Sequence, residues 1–272
     1  MNKDLPDYTE QVQLYAWNGT ELIPVLVDSN GNIVAVIKGD YSGILKTIAI
    51  DDKGYMLIKQ LPILTVDRKG EVIFYDNFSN GIGIWSGTGS GTGGKAAIAT
   101  EAFKTAGFSL KMATGVNGVS YGYLTGEIFY LKPSNMGIEC NISFNNYVDY
   151  ITIALHLYTK TQVYTLLIKI NITEAKIQLS EDTVNWIDIP TSISLVANIR
   201  IFHSLKVVAD FINGKYIRLI FDGTSYNISD YSLHSTTDDY YKRTQVNIQT
   251  ASTSTLSGDT YLDSLVITQN EP

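Results

Sequence analysis

Several residue types are scarce in this sequence, and each scarcity excludes a class of protein. The 272 residues include one cysteine, Cys140, so no internal disulfide can form and stability must come from burial, strand pairing or assembly. Charged residues make up only 17%, and the net charge of -7 offers no footprint for a polyanion, so we expect no direct nucleic-acid partner. No apolar run approaches about eighteen residues, and the N-terminus lacks a basic segment followed by an apolar core. We therefore expect a soluble chain with no membrane insertion and no cleavable signal.

Residue patterns that support catalysis are scarce as well. His156, His203 and His234 are isolated from one another, and none has the spacing of a zinc pair. There is no Gly-x-Ser-x-Gly elbow, and no pair of acids alternates along one strand as a glycosidase would require. The stretch from Gly89 to Lys95 fits half of a phosphate-binding loop, but Ala96 stands where Ser or Thr is required. We predict no catalytic residue and no enzymatic activity, and we interpret His156 as structural and the Gly-rich stretch, residues 86–94, as a surface loop.

The abundant residues are Gly, Ser, Thr, Asn and Tyr, which are typical of β-strands and tight turns. No convincing amphipathic helix is present. The fold class predicted is all-β, with N-terminal tandem β-hairpins followed by an antiparallel β-sandwich, or jelly roll. We place the hairpin unit at residues 1–75, as an attachment or assembly unit, and the sandwich at residues 76–272.

The hairpin unit is predicted from a pattern that occurs three times: a β-branched residue, Asp, two polar residues and Gly, flanked by alternating apolar residues. The turn residues are Asp28 and Gly31, Asp51 and Gly54, and Asp67 and Gly70. A three-residue loop, with Asp28 opposite Asn32 in the first copy, keeps the flanking apolar residues on one face in all three copies. Gly occupies the left-handed position of such a loop, and Asp accepts a backbone hydrogen bond. A helix-loop-helix calcium site is excluded, because its Gly and Glu positions hold Ile33 and Gly39.

The sandwich is predicted from short alternating segments separated by turn signals. The expected strands lie near residues 96–100, 108–113, 126–131, 137–144, 150–158, 164–171, 175–180, 201–211, 216–221, 244–250 and 260–268. In the clearest hairpin, with loop 213–215, alternation predicts that Leu205, Val207, Ala209, Phe211, Ile217, Leu219 and Phe221 face the core. It predicts that Lys206, Asp210, Arg218 and Asp222 face water.

Aromatic side chains are the remaining functional candidates, because exposed Trp and Tyr combine an apolar ring with a polar tip. The candidate glycan-binding residues are Trp85, Trp186, Tyr240 and Tyr241. Trp17 belongs to the same group, although most Tyr in a chain of this kind are half-buried strand residues.

The larger region resembles concanavalin-like and carbohydrate-binding-module-like jelly rolls in three segments. These are "DNFSNGIGIW" from Asp76, "AGFSLKMATG" from Ala106 and "TYLDSLVIT" from Thr260. The resemblance implies that the first and last segments pair and close the domain. Some members of these families hold a structural calcium near those end strands, which would make Asp76 and Asp263 the candidate ligands here; no cofactor is otherwise expected.

The first region resembles N-terminal segments of tailed-bacteriophage virion proteins, in which a Tyr-x-Trp-x-Gly-Thr stretch, here residues 15–20, precedes short hairpins. This resemblance implies a non-enzymatic structural protein of a phage particle, either a capsid decoration, a head fibre or a tail component, that displays the jelly roll outward. Its partners would be other virion proteins and copies of itself, for example in a trimer, and it would reach the virion after assembly in the host cytoplasm. The alternative is a carbohydrate-binding module or adhesin-like glycan-binding protein, and a host surface glycan fits both readings.

Overall fold

The computed structural model describes residues 69–104, 107–116, 120–128, 130–182, 185–190, 193–237 and 241–272, and the backbone of six short strands before them. The chain divides into two compact units, Met1–Ile63 and Leu64–Pro272. The short strands of the first unit are β1 (Tyr15–Trp17), β2 (Leu22–Pro24), β3 (Leu26–Val27), β4 (Ile33–Val34), β5 (Ala49–Ile50) and β6 (Met56–Leu57). They pair antiparallel as β1 with β2, β3 with β4 and β5 with β6.

Two of the predicted hairpin registers can be compared with this backbone. Val27 pairs with Ile33 and Ile50 pairs with Met56, and both pairings agree with the register that a three-residue loop imposes. The predicted turn residues Asp28, Gly31, Asp51, Gly54 and Asp67 lie outside the described residues. Gly70 is described, and its φ of 78° is the left-handed conformation predicted for it.

The second unit consists of antiparallel strands, and within the described residues no helix is long and apolar enough to span a membrane. Its strands are β7 (Glu71–Asp76), β8 (Trp85–Gly89), β9 (Lys95–Ala99), β10 (Ser109–Ala113), β11 (Ser120–Ile128), β12 (Asn135–Phe144), β13 (Tyr150–Tyr158), β14 (Gln162–Asn171), β15 (Lys176–Ser180), β16 (Trp186–Asp188), β17 (His203–Asp210), β18 (Lys215–Phe221), β19 (Thr224–Asn227), β20 (His234–Thr237), β21 (Arg243–Ser252) and β22 (Asp259–Gln269). The predicted all-β sandwich is confirmed.

The strands form two sheets that enclose one core. The first sheet has the order β19-β18-β17-β12-β22-β10-β9, and β7 pairs with β22 beside β10. The second sheet has the order β16-β15-β14-β13-β21-β11-β8, and β20 pairs with β14 beside β15. In both sheets, alternate residues point inward, for example Ile151, Ile153, Leu155 and Leu157 of β13, and Ile138, Cys140, Ile142 and Phe144 of β12. Each Ile, Leu or Phe side chain among them contributes about 1.5–3 kcal/mol through its removal from water.

The end of the chain closes the domain, as the resemblance implied, although the pairing strand begins earlier than the quoted segment. Asp76 is the last residue of β7 and pairs with Leu265 of β22, so residues 71–76 belong to the first sheet. The quoted segment continues through a turn to Trp85, which starts β8 in the second sheet. A bulge at Ser264, whose φ is 61°, lets one edge of β22 pair first with β10 and then with β7.

The prediction that residues 86–94 form a loop is wrong in its first half. Strand β8 continues to Gly89 and pairs with β11. The glycines here serve close packing: a Cβ added to Gly87 would lie 2.2 Å from the Cβ of Ala96. The absence of a side chain at Gly87 therefore permits a close contact between β8 and β9.

The hairpin of β17 and β18 differs from its prediction at two points. A register shift between Val208 and Ala209 makes Tyr216 the buried residue where Ile217 was expected. Lys206, predicted to face water, is fully buried, and its Nζ lies 2.8 Å from Oε1 of Glu271. Arg218 joins the same carboxylate at 2.5 Å. The face is covered because the end of the chain folds over it.

Candidate functional site

The two sheets differ in what covers their outer faces. On the first sheet, Tyr261 points outward but is only 2% exposed, because it packs in a cluster with Ala99 and Ala102. Ile199 and Phe202 pack on the same cluster. At the other end of that sheet lies the buried Lys206 described above. The outer face of the first sheet is therefore largely closed.

The outer face of the second sheet carries polar and aromatic side chains in aligned rows. One row runs across four strands, with Lys169 of β14 opposite Thr152 of β13, and Gln249 of β21 opposite both Thr152 and Tyr123 of β11. All four side chains are half-buried, whereas their neighbours along each strand are buried in the core. This exposure pattern makes the face accessible to a ligand along a continuous polar surface.

A depression of about 330 Å³ lies in this face, and we call it the aromatic pocket. It is lined by Tyr150, Thr152, Leu167, Lys169, Trp186 and Gln249. Trp186 reaches the pocket because β16 pairs with β15 in a register that puts Trp186 opposite Ser180, on the outward side. The Nζ of Lys169 lies 4.2 Å from the centre of the Trp186 ring and 5.8 Å from that of Tyr150. Both distances are those of cation–π contacts.

The electrostatics of the pocket follow from partial burial. Burial lowers the pKa of Lys169, and Glu174 and Asp188 offset part of that effect. Burial also raises the pKa of Tyr150, with further contributions from Tyr121 and Asp149, so its phenol keeps its proton and can donate a hydrogen bond. The pocket thus offers two aromatic rings, an ammonium group, and hydroxyl and amide groups.

Next to the pocket, the face is held in place by a hydrogen-bond network around His156. Its Nδ1 lies 2.9 Å from Thr165 Oγ1, and its Nε2 lies 3.0 Å from the amide nitrogen of Asn247. Because an amide nitrogen only donates, Nε2 accepts and Nδ1 carries the proton. Burial, together with Arg243 and His234, lowers the pKa of His156 to about 4. His156, which was interpreted as a structural histidine, thus lies within a strand with both ring nitrogens hydrogen-bonded and with its imidazole neutral.

A second group of side chains occupies the far end of the same face. Arg243 donates to Glu127 at 2.8 Å, and its guanidinium lies 4.2 Å from the centre of the Tyr158 ring. Tyr241, 60% exposed, donates its hydroxyl to Glu127 at 2.8 Å. Since Arg243 and Gln249 are six residues apart on β21, this group lies about 20 Å from the aromatic pocket.

The four aromatic residues predicted to bind glycans have different environments. Trp186 lines the aromatic pocket and Tyr241 lies at the far end of the face, while Tyr240 is outside the described residues. Trp85 is only 4% exposed, contacts the rings of Phe74 and Phe78, and donates its indole N–H to Asp76. A sugar cannot stack on a ring in that position.

The pocket residues that sequence reasoning missed are Tyr150, Thr152, Leu167, Lys169 and Gln249. The available signal was the alternation of side chains along a strand: in β13, Tyr150 and Thr152 alternate with the apolar Ile151 and Ile153 and therefore point to the outer face of the sheet. Alternation could not reveal which of the two sheets keeps its outer face accessible to a ligand.

The two candidate calcium ligands do not come together. Asp76 pairs with Leu265 on the core side of the first sheet, and its oxygens accept from the Phe78 N–H and the Trp85 indole, both at 2.7 Å. Asp263 pairs with Asn141 on the outer side, and its oxygens accept from the Lys104 N–H and from Ser264. In the part of the chain that the structure describes, no group of three or more His, Cys, Asp or Glu side chains could share a metal ion.

The fold and its open face define the class of this protein: an antiparallel β-sandwich of the jelly-roll type with an accessible outer sheet. No protein-family model matches the chain, and no curated protein does. Several solved structures are similar to it. They include peanut lectin, at 11% identity and a TM-score of 0.45 over 74% of this chain and 98% of that one. Another is the β-glucanase of Bacillus licheniformis, which has 12% sequence identity and a TM-score of 0.41 and covers 74% of this chain and 99% of its own.

A third similar structure belongs to a study of promiscuous specificity in carbohydrate-binding modules of the β-sandwich superfamily. It has 14% identity and a TM-score of 0.42 over 82% of this chain and 72% of that one. At identities of 11–14% and TM-scores of 0.41–0.45, these likenesses assign no function to this chain.

Proposed function

We propose that this protein is a glycan-binding module that takes a sugar in the aromatic pocket. The observation that carries the proposal is the position of Trp186 and Tyr150, two half-exposed rings in one depression on the open face of the second sheet. Aromatic rings offer a flat apolar surface to the C–H groups of a sugar ring, at a low cost in conformational entropy.

The polar lining of the pocket complements a polyhydroxylated ligand. Thr152 and Gln249 lie side by side on adjacent strands and supply a hydroxyl and an amide, which together donate and accept hydrogen bonds. Both side chains project from long strands that are paired on both sides, so their positions are fixed before the ligand arrives. A few placed polar groups among apolar ones are typical of small-ligand sites.

Binding fits this site better than hydrolysis does. Asp188 is the carboxylate on the strand that carries Trp186, and it accepts from Gln178 at 2.7 Å and pairs with Lys176 at 2.8 Å. These partners lower the pKa of Asp188, with Lys176 contributing most, so the group remains ionised and cannot serve as a general acid near neutral pH.

The proposal is tested with a glycan array probed by the full chain and by two variants. Trp186→Ala removes the ring from the pocket, while Phe103→Ala removes a ring that is 47% exposed on the segment before β10 and serves as the control. We expect the wild type and Phe103→Ala to bind the same glycans, and Trp186→Ala to lose at least about tenfold in affinity for them. Binding to no glycan, or equal binding by all three proteins, would contradict the proposal.

The virion role is a separate prediction that rests on the resemblance of residues 11–76 alone. It is compatible with glycan binding, since a particle protein that binds a host glycan would need an exposed site of this kind. Its own test is whether the full chain co-purifies with phage particles.

A further inference from the structure

The positive charges on the outer face of the second sheet differ in their partners. Lys176 pairs with Asp188 at 2.8 Å and with Glu174 at 3.3 Å, and Arg243 pairs with Glu127 at 2.8 Å. Lys169 is different: its ammonium lies against the rings of Trp186 and Tyr150, and no described carboxylate lies within ion-pair distance of its Nζ. A positive charge without an ionic partner therefore lies in the wall of the aromatic pocket.

The two rings stabilise this charge only in part. They attract the ammonium through their quadrupoles, but they also displace water from it, and the lowered pKa of Lys169 reflects that loss. Glu174 and Asp188 attract Lys169 from a distance, while both are already engaged by Lys176. An anion that entered the pocket would replace the stabilisation by water that the ammonium group of Lys169 loses on burial.

We propose that the aromatic pocket selects sugars that carry an anionic substituent, a carboxylate or a sulfate, which Lys169 binds through its Nζ. The sugar ring lies against Trp186 and Tyr150, and its hydroxyls contact Thr152 and Gln249. This inference rests on the proposed glycan-binding function and specifies its ligand class. The net charge of -7 repels an anionic sugar at long range, whereas Lys169 attracts it at contact. The selectivity would therefore come from the pocket and not from the overall charge of the protein.

The chain offers a matched pair of variants to test this inference. Lys169→Met removes the charge in the pocket and keeps an unbranched apolar stem, so the packing against the rings is retained. Lys132→Met removes an exposed charge from the segment between β11 and β12, which does not line the pocket. The two variants change the net charge equally, and only the first changes the pocket.

The probes are oligosaccharides in matched pairs: uronic-acid oligomers with their neutral methyl esters, and sulfated oligomers with their unsulfated forms. Affinities are measured by calorimetry with the full chain. We expect at least one anionic oligomer to bind about tenfold or more tightly than its neutral partner, the difference typical of a charge-assisted hydrogen bond. The preference should disappear in Lys169→Met and persist in Lys132→Met. The pair that shows it distinguishes carboxylate from sulfate recognition.

The failures of the two proposals are distinguishable. Equal binding of charged and neutral partners, or a preference that survives Lys169→Met, overturns the anionic selectivity, whereas loss of that binding in Trp186→Ala would still support the pocket as a glycan site. Binding of none of the oligomers overturns the selectivity, and the glycan array then decides the proposed function independently.

Discussion

Mild acid should destabilise the sandwich through His156. Burial, Arg243 and His234 lower the pKa of this histidine from its ordinary value of 6.5 to about 4 in the folded protein. Between these two values the unfolded chain binds a proton that the folded protein does not bind, so the free energy of unfolding falls as the pH decreases. The contribution of neutral His156 is fully present above pH 6.5 and is lost progressively towards pH 4.

The size of the effect follows from the pKa difference. Each pH unit in that interval costs about 1.4 kcal/mol, so the loss at pH 5 is about 2 kcal/mol, which is a substantial part of the stability of an ordinary domain. The cost has a structural origin: protonation at Nε2 would put a second donor against the amide N–H of Asn247 and abolish that hydrogen bond.

The assay is urea unfolding of the wild type and of His156→Gln at pH 7.5 and at pH 5. Other titrating groups act equally in both proteins, so the stability difference between them isolates His156. We expect the stability of the wild type relative to the variant to decrease by about 2 kcal/mol between the two pH values. A difference that is the same at both pH values would refute the assigned protonation state.

Two further predictions concern residues that the fold buries. Glu271→Gln should lower the free energy of unfolding by about 3 kcal/mol, because it removes the nearer of the two carboxylates beside the buried Lys206 and leaves Glu139 at 4.0 Å, while Glu174→Gln at an exposed pair should change it by less than about 0.5 kcal/mol. Equal effects of the two substitutions would contradict the buried ion pair. Gly126→Ala should cost about 1–3 kcal/mol and change the near-ultraviolet circular dichroism of Trp85, because the new Cβ would lie 2.4 Å from the indole ring. A wild-type spectrum and melting temperature would show that Trp85 does not pack on β11.

Much of the sandwich could be predicted because its long strands alternate cleanly. The predicted strand Tyr150–Tyr158 has the bounds found in the structure, since apolar residues at every second position specify both the strand and its buried face. Short edge strands such as β16, β19 and β20 were missed, because three or four residues are too few to show the alternation of apolar and polar side chains that identifies a strand.

What the sequence could not reveal depends on contacts between distant parts of the chain. Lys206 has the alternation of a water-facing residue, and contacts with residues distant in the sequence, Glu271, Glu139 and Lys69, bury it. The aromatic pocket draws side chains from four strands, so no local pattern contains it. Trp85 and Trp186 both begin a short strand, yet one lies in the core and the other lines the pocket, because they pair with different neighbours.

The central claim is that the open face of the second sheet binds glycans at the aromatic pocket, and chemical-shift mapping tests it most directly. A glycan bound on the array would be titrated into the isotope-labelled full chain while the backbone amide resonances are recorded. We expect the largest shifts in β13, β14, β16 and β21 around Trp186, Lys169 and Gln249, and almost none in β12, β17 and β22 of the first sheet. Shifts confined to the first sheet, or shifts that persist unchanged in Trp186→Ala, would contradict the account.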